Sequence, residues 1–252
     1  MAFSSYIMAA TPRSGSTLLC DLLSGTGIAG RPHSYYRCQD IPDYARKWRL
    51  SSPDVIGNEG FERSYLEAVR REGTAHTGIL GLRLMWPTVA ELSARLSSVY
   101  PDRLDDAARF ELAFGKPLYI HLSRQDKVAQ AVSLLKAEQS GLWHRAADGT
   151  ERERTTPPAP LAYDADRIAG LVKELETDDA AWTRWFARRG ITPLQLTYEG
   201  LAAAPRAALT QVLSALALDP GIAASANART VKLADEVSLE WAHRFRRARS
   251  HA

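Results

Sequence analysis

The chain has 252 residues, of which 45% are hydrophobic and 24% charged, and its formal net charge is +3. This is ordinary globular composition, so it excludes the disordered and collagen-like classes. The basic residues crowd the C-terminus without the patterned stripe of nucleic-acid binders, so no nucleic-acid partner is expected. The best membrane candidate, Leu209–Leu218, is shorter than the roughly 18–20 apolar residues of a membrane span, so no integral membrane segment is expected.

The two cysteines, Cys20 and Cys38, indicate neither a disulfide framework nor a metal site. The N-terminus lacks the basic start of a secretory signal, so we expect a cytoplasmic protein. A length of 252 residues fits one sizeable domain, which we take to span residues 1–252. No bound metal is expected.

Short apolar runs predict strands at Tyr6–Ala10, Gly78–Met85, Lys116–Leu122 and Pro193–Thr197. Helical spacing predicts helices at Thr17–Leu23, Phe61–Glu72, Val89–Leu96, Asp126–Gln139, Ile168–Arg188, Ala204–Leu216 and Ser238–Arg249. In the long helix, Trp182, Trp185 and Phe186 share one face and are expected in the core. The charged, proline-rich stretch Asp148–Pro160 is interpreted as a loop.

The segment between the first strand and the first helix, Thr11–Thr17, is rich in proline, arginine, serine and glycine. Strand, small-residue loop and helix form a cradle for phosphate, because N–H groups at a helix N-terminus converge on the anion. Gly15 allows a close backbone approach and Arg13 adds a fixed cation. The lysine of a Walker A loop is absent, which disfavours a P-loop kinase. A loop that only caps the helix remains an alternative.

A second candidate anion site follows the strand that ends at Leu122. Arg124 lies where open parallel sheets bind ligands, and Ser133 lies in the next helix. Arg124 alone also fits a surface salt bridge, but its combination with Arg13 suits a nucleotide with two charged ends. The alternation of elements predicts an α/β protein with a P-loop-like three-layer fold, in which helices flank a central, mostly parallel sheet.

Several short motifs occur together in one order along nearly the whole chain. They are Arg13–Leu19, Gly27–Pro32, Gly81–Trp86, His121–Arg124, Gln130–Ser133, Lys232 with Ala234–Asp235, and Glu240–Trp241. In this set the chain resembles the Stf0-type sulfotransferases, which use 3′-phosphoadenosine 5′-phosphosulfate (PAPS). The resemblance implies a PAPS-dependent enzyme that transfers a sulfuryl group to a hydroxyl of a carbohydrate or glycolipid acceptor.

The resemblance also implies residue roles. Arg124 and Ser133 would bind the 3′-phosphate, and Lys232 would lie near the cosubstrate. Arg13 would also act in catalysis by neutralising developing charge, and no metal is required. The 5′-phosphosulfate would be bound by Arg13, Ser14, Gly15, Ser16 and Thr17.

One departure from the family pattern concerns the general base. Ser34 stands where the family has a glutamate, and a serine does not deprotonate a sugar hydroxyl at neutral pH. The adjacent His33 has a suitable pKa and is our candidate base, with a local hydrogen-bonding role as its alternative. Asp40 and His121 are weaker candidates.

The acceptor side is predicted from the same segment. Arg31 replaces another glutamate of the pattern, which would suit an acidic acceptor, although a solvated arginine fits better. Tyr35, Tyr36 and Trp48 are expected to stack on sugar rings or to pack in the core. His144 is a further candidate contact, and the loop near Pro157 is a candidate flap. The predicted substrate-binding residues are Arg31, Pro32, Ser34, Tyr35, Tyr36 and Trp48.

Three functions therefore remain open. The first is a sulfotransferase acting on a small-molecule or glycolipid acceptor, with a homodimer as the plausible assembly. The second, motivated by Ser34, is a homologue that binds PAPS or its bisphosphate product but has lost catalysis. The third, disfavoured by the missing lysine, is a P-loop kinase.

Overall fold

Strands and helices alternate along the chain in a computed structural model that describes residues 3–50, 57–102, 105–145, 148–225 and 235–249. The strands are β1 (Ser5–Ala10), β2 (Leu80–Met85), β3 (Pro117–Ser123), β4 (Leu142–Arg145), β5 (Glu151–Arg154) and β6 (Leu194–Thr197). The helices are α1 (Ser16–Gly25), α2 (Ile41–Lys47), α3 (Glu59–Thr74), α4 (Thr88–Val99), α5 (Asp106–Phe114), α6 (Lys127–Ser140), α7 (Ala165–Arg188), α8 (Tyr198–Ala203), α9 (Pro205–Ala215) and α10 (Glu236–Arg249).

The central sheet has the strand order β2-β1-β3-β6, and all its pairings are parallel. Ala10, the last residue of β1, pairs with Met85 on one side and Leu122 on the other. The carboxyl ends of the strands therefore meet at one edge, where open α/β sheets bind ligands. The predicted α/β fold with helices around a central parallel sheet is confirmed.

Helices cover both faces of the sheet. The side chains of the central strand β1 belong alternately to two hydrophobic cores, one on each face. Ile7 and Ala9 belong to the core under α3, α4, α5 and α7, whereas Tyr6 and Met8 belong to the core under α1 and α9. Successive side chains of a strand point to opposite faces, so a strand buried on both sides is apolar throughout. This is why Tyr6–Ala10 carries no polar alternation.

The aromatic face of α7 packs in the first of these cores. Trp182, Trp185 and Phe186 are exposed by 0%, 4% and 3%, which confirms the prediction that they are core residues. Trp182 also donates its indole N–H to the carbonyl of Ala10 at 3.1 Å. It therefore holds the end of β1, from which the phosphate loop begins.

The prediction of a loop over the whole of Asp148–Pro160 was wrong. Residues Glu151–Arg154 form β5, which pairs antiparallel with β4. The strand was missed because it carries only charged side chains, and its order comes from pairing with β4 rather than from an apolar face. Elements absent from the prediction also include α2, α5 and α8.

The segment after α1 lies against the sheet edge with main-chain contacts. A Cβ on Gly30, whose φ is 67°, would lie 2.3 Å from the carbonyl oxygen of Ile79 and 2.4 Å from that of Gly73. Beyond it, His33 forms an isolated parallel bridge with Leu82 on β2. Close packing at a glycine thus positions the residues that follow. No described helix is both long and apolar enough to cross a membrane.

Candidate active site

The predicted phosphate loop, Thr11–Thr17, runs from the end of β1 into α1. Arg13 and Gly15 have left-handed backbone conformations, with φ of 62° and 84°. Gly15 is the N-cap of α1 and no side chain caps this helix, so the N–H groups of its first turn remain for a ligand. A Cβ on Gly15 would lie 2.8 Å from Cδ2 of Tyr198, so glycine is required here for both space and φ.

Residues from the two predicted anion sites lie together in one cluster. Arg13 donates from Nε to Oγ of Ser133 at 3.0 Å and from Nη1 to the carbonyl of Trp143 at 2.5 Å. Arg124 donates from Nη1 to the carbonyl of Arg13 at 3.2 Å, and its guanidinium lies 4.3 Å from the ring centre of Tyr198. The structure thus brings Arg13, Arg124 and Ser133 into one cluster, whereas the sequence predicted two separated anion sites, one at the loop with Arg13 and one at Arg124 and Ser133.

Gln130 braces the start of the loop. This fully buried side chain donates to Oγ1 of Thr11 at 2.8 Å and to the carbonyl of Pro12 at 2.6 Å. Sequence reasoning gave it no role. The available signal was its position on α6, one helical turn before Ser133, which places both residues on the same face.

Uncompensated positive charge makes this cluster a candidate anion site. Burial, reinforced by the nearby Arg124, lowers the pKa of Arg13 to about 10, and burial likewise lowers the pKa of Arg124. Within the described residues neither arginine has a carboxylate ion pair. Oγ of Ser14 and Nε of Arg124 are buried and lack a hydrogen-bond partner there. An anion would neutralise the cations and satisfy both orphaned polar atoms.

A cavity of about 540 Å³ opens beside Thr17, the last residue of the predicted phosphate loop. Its lining combines cationic, aromatic and acidic side chains. They include His33, Tyr35, Tyr44, Arg83, His144 and Glu153. This position, next to the loop and outside the buried cluster, suits an acceptor that approaches a bound anion.

His33 lies in the cavity with an exposed side chain. Its Nδ1 is 2.6 Å from the hydroxyl oxygen of Tyr44, and burial raises the pKa of Tyr44 well above its usual value. Tyr44 is therefore a neutral phenol that fixes the imidazole ring. The sequence did not identify it, because α2 was not predicted.

Arg83 connects the phosphate loop to the acceptor segment. It donates from Nη1 to Oγ1 of Thr17 and from Nε to Oγ of Ser34, each at 2.8 Å. Ser34 is buried behind Arg83 and does not line the cavity. Ser34 is therefore a neutral hydrogen-bond partner of Arg83.

The β4–β5 hairpin forms another wall of the cavity. Nε2 of His144 lies 3.0 Å from Oγ1 of Thr17 and 3.6 Å from Oε2 of Glu153. Glu153 also accepts two hydrogen bonds from Arg37, each 3.2 Å long. The candidate contact His144 thus faces the site, whereas the hypothesis of a flap near Pro157 stays untested.

Several predicted acceptor residues lie where expected, and others do not. Arg31, Pro32 and Tyr35 line the cavity, but Arg31 pairs with Glu72 at 3.6 Å and is not a spare cation. The structure corrects the proposed sugar-stacking role of Tyr36, because this side chain is 2% exposed and packs in the core.

The remaining predicted residues are accounted for as follows. Trp48 stacks on Tyr44 with ring centres 4.8 Å apart, so it supports the cavity wall. His121 bonds Asp179 at 2.9 Å, is buried and lies off the cavity lining, so it does not fit a base. Asp40 is held by Arg37, and Ser16 is buried at the start of α1. Lys232 lies outside the described residues.

The model of the family described as Stf0 sulphotransferase matches residues 5–248. The chain belongs to the Stf0 sulfotransferase family. As a member of that family it is an enzyme, and its activity is that of a sulfotransferase.

Relatives of this Stf0 sulfotransferase cover it almost completely. It is 30% identical to a trehalose 2-sulfotransferase of Mycobacterium tuberculosis and 30% identical to one of Mycolicibacterium smegmatis, with 96% of this chain and 94% of each relative aligned. Among solved structures, the sulfotransferase domain of the Synechococcus PCC 7002 olefin synthase is 16% identical with a TM-score of 0.41, over 96% of this chain and 94% of that one. Among the described residues, no group of three or more His, Cys, Asp or Glu side chains forms a candidate metal site.

Proposed function

We propose that this sulfotransferase uses PAPS as sulfuryl donor and transfers the group to a hydroxyl of a neutral carbohydrate or glycolipid. The observation that carries the proposal is the pair of arginines without a carboxylate partner among the described residues, half-buried Arg13 and buried Arg124, near the start of α1 and the 540 Å³ cavity. A donor with charged groups at both ends complements two such cations.

The residues present fit this donor. The loop from Arg13 to Thr17 would hold the 5′-phosphosulfate, with the orphaned hydroxyl of Ser14 as one donor. Arg124 and Ser133 would hold the 3′-phosphate, and Nε of Arg124 is available for it. PAPS supplies the sulfuryl group when bound. Gln130 keeps Thr11 and Pro12 in place, so that the cradle is preorganised.

The charges of the cavity favour a neutral acceptor. Arg37 is paired with Asp40 and Glu153, while Arg31 and Lys47 are paired with Glu72. A polyol would meet hydrogen-bonding groups and aromatic rings there, without disrupting these ion pairs. The acidic acceptor suggested by Arg31 in the sequence loses its support.

His33 is the proposed base. If its Nδ1–H donates to the oxygen of Tyr44, Nε2 keeps its lone pair and can accept the proton of an acceptor hydroxyl. The hydroxyl oxygen then attacks sulfur in line with the departing phosphate, and positioning supplies much of the acceleration. Catalysis by this chain needs no carboxylate at Ser34.

The test is binding followed by turnover. The 3′,5′-bisphosphate product is expected to stabilise the protein thermally, by about 2.7 kcal/mol at one hundred times its dissociation constant. Incubation with labelled PAPS and a panel of trehalose, other neutral glycans and glycolipids should then yield a sulfated product. Absence of thermal stabilisation by the bisphosphate, with ATP tried in parallel, would contradict the PAPS assignment.

Ser34 gives a second candidate function its support. A protein that binds the bisphosphate tightly but transfers sulfate to no acceptor would be a binding homologue that has lost catalysis. Such a homologue would be stabilised by the bisphosphate but would form no sulfated product from labelled PAPS, whereas the enzyme would do both.

A further inference from the structure

Arg83 is a cavity cation that no carboxylate of the described residues neutralises. Among the lining cations, Arg31 and Lys47 are paired with Glu72, and Arg37 with Asp40 and Glu153. Within the described ranges the guanidinium of Arg83 has hydrogen bonds only to hydroxyl groups. A half-buried guanidinium without a counter-charge is costly, so this position indicates an anionic partner in the working enzyme.

The bonds that Arg83 makes direct it at the reacting group. Its Nη1 lies 2.8 Å from Oγ1 of Thr17, the last residue of the loop proposed to hold the phosphosulfate. Its Nε bond to Ser34 fixes the plane of the guanidinium, and its backbone N–H donates to the carbonyl of His33 at 3.1 Å. The remaining N–H donors of the guanidinium are left for a ligand.

We propose that Arg83 is a further catalytic residue, whose guanidinium binds the sulfuryl oxygens of the donor during transfer. The inference rests on the proposed use of PAPS. The acceptor oxygen forms a bond to sulfur as the bond from sulfur to the 5′-phosphate oxygen breaks. That oxygen leaves with the electron pair in the bisphosphate, and the hydroxyl proton passes to Nε2 of His33. Arg83 stabilises the charge on the moving group and gains or loses no atom.

The decisive measurement compares two ligands that differ only in the sulfuryl group. Calorimetry should show that Arg83→Met weakens PAPS binding about 10-fold or more while binding of the bisphosphate changes less than about 2-fold. Arg83→Lys keeps the charge and is expected to retain part of the preference for PAPS. Slow hydrolysis of labelled PAPS without acceptor should fall about 10²–10³-fold in Arg83→Met.

Arg70→Met is the matched control. Arg70 is also half-buried, bonds the carbonyls of Ala113 and Leu112 and the hydroxyl of Tyr100, and lies outside the cavity lining. It should leave both affinities unchanged. If Arg83→Met or, should that variant misfold, Arg83→Gln binds both ligands as the wild type does, or weakens both equally, the role of Arg83 is overturned. If the wild type itself binds neither ligand, the failure belongs to the proposed use of PAPS.

Discussion

The two halves of the site treat charge in opposite ways. In the cluster of Arg13, Arg124 and Ser133, a half-buried and a buried arginine lie together without a carboxylate ion pair among the described residues, and burial lowers the pKa values of both arginines. In the cavity, Arg37 and Arg31 each have an acidic partner, whereas Arg83, beside Thr17, has none in the described part of the chain. We infer that the first half, together with Arg83, suits an anion, and that the rest of the cavity suits a neutral molecule.

The halves also differ in how their side chains are held. The loop is braced by a fully buried glutamine and by an arginine hydrogen bond to the main chain of β4. In contrast, His33 is exposed and is held by a tyrosine hydroxyl. Substitutions in the cluster should therefore weaken binding of the bisphosphate, whereas substitutions at His33 and Tyr44 should lower turnover.

The largest effect is expected at His33. His33→Ala should lower turnover about 10²–10⁴-fold, because the proton of the acceptor loses its base, while affinity for the bisphosphate stays the same. Steady-state kinetics and calorimetry measure the two quantities. His243→Ala, an exposed histidine on α10, is the control and should match the wild type. Unchanged turnover in His33→Ala would end the assignment of His33.

Arg124→Ala should weaken bisphosphate binding, which His33→Ala leaves unchanged. We expect the bisphosphate affinity to fall about 10- to 100-fold, because a charge-assisted contact to phosphate is lost. Titration calorimetry provides the measurement. Arg109→Ala removes a half-buried arginine that bonds Ser93 and Asp102, and it should not alter the affinity. Equal affinity in Arg124→Ala and the wild type would remove the second anion site.

Gly15→Ala separates backbone strain from crowding. Its φ of 84° resembles the 80° of Gly78, but an added Cβ would meet Tyr198 at 2.8 Å at Gly15 and nothing within 4 Å at Gly78. Gly78→Ala should lower the free energy of unfolding by about 1–2 kcal/mol through strain alone. Gly15→Ala should lower it further and also weaken bisphosphate binding, as denaturant unfolding and calorimetry would show. Identical behaviour of the two variants would contradict the close packing at the loop.

The smallest effect is expected at Tyr44. Tyr44→Phe keeps the ring stacked on Trp48 but removes the hydroxyl that holds His33, so turnover should fall about 3- to 10-fold. Bisphosphate affinity should not change. The double variant Tyr44→Phe/His33→Ala should be no slower than His33→Ala alone, because the tyrosine acts only through the histidine. Additive losses would indicate a separate role for Tyr44.

Apolar pattern and loop composition were enough to predict the central sheet, most of the described helices, and Arg13, Arg124 and Ser133 as candidate anion-binding residues, but not that these three residues form one cluster. A continuous apolar run such as that of β1 indicates a strand that is covered on both faces of a parallel sheet. The loops that follow such strands lie at the same edge of the sheet. The cavity wall was harder to predict. Tyr44 lies on a short helix, and Glu153 lies on a strand of charged residues whose order depends on pairing with β4. Such contacts between distant segments leave no periodic signal.

The close approach at Gly30 has a consequence for divergence within this family. Main-chain atoms seat the segment on β2, through the contacts of Gly30, the bond from Arg31 N–H to the carbonyl of Gly73 and the bridge of His33. The exposed side chain of Arg31, which follows the glycine, is therefore free to be exchanged without moving the strand. Substitutions at Arg31 offer a route to redirect the enzyme to another alcohol while the donor site is inherited unchanged.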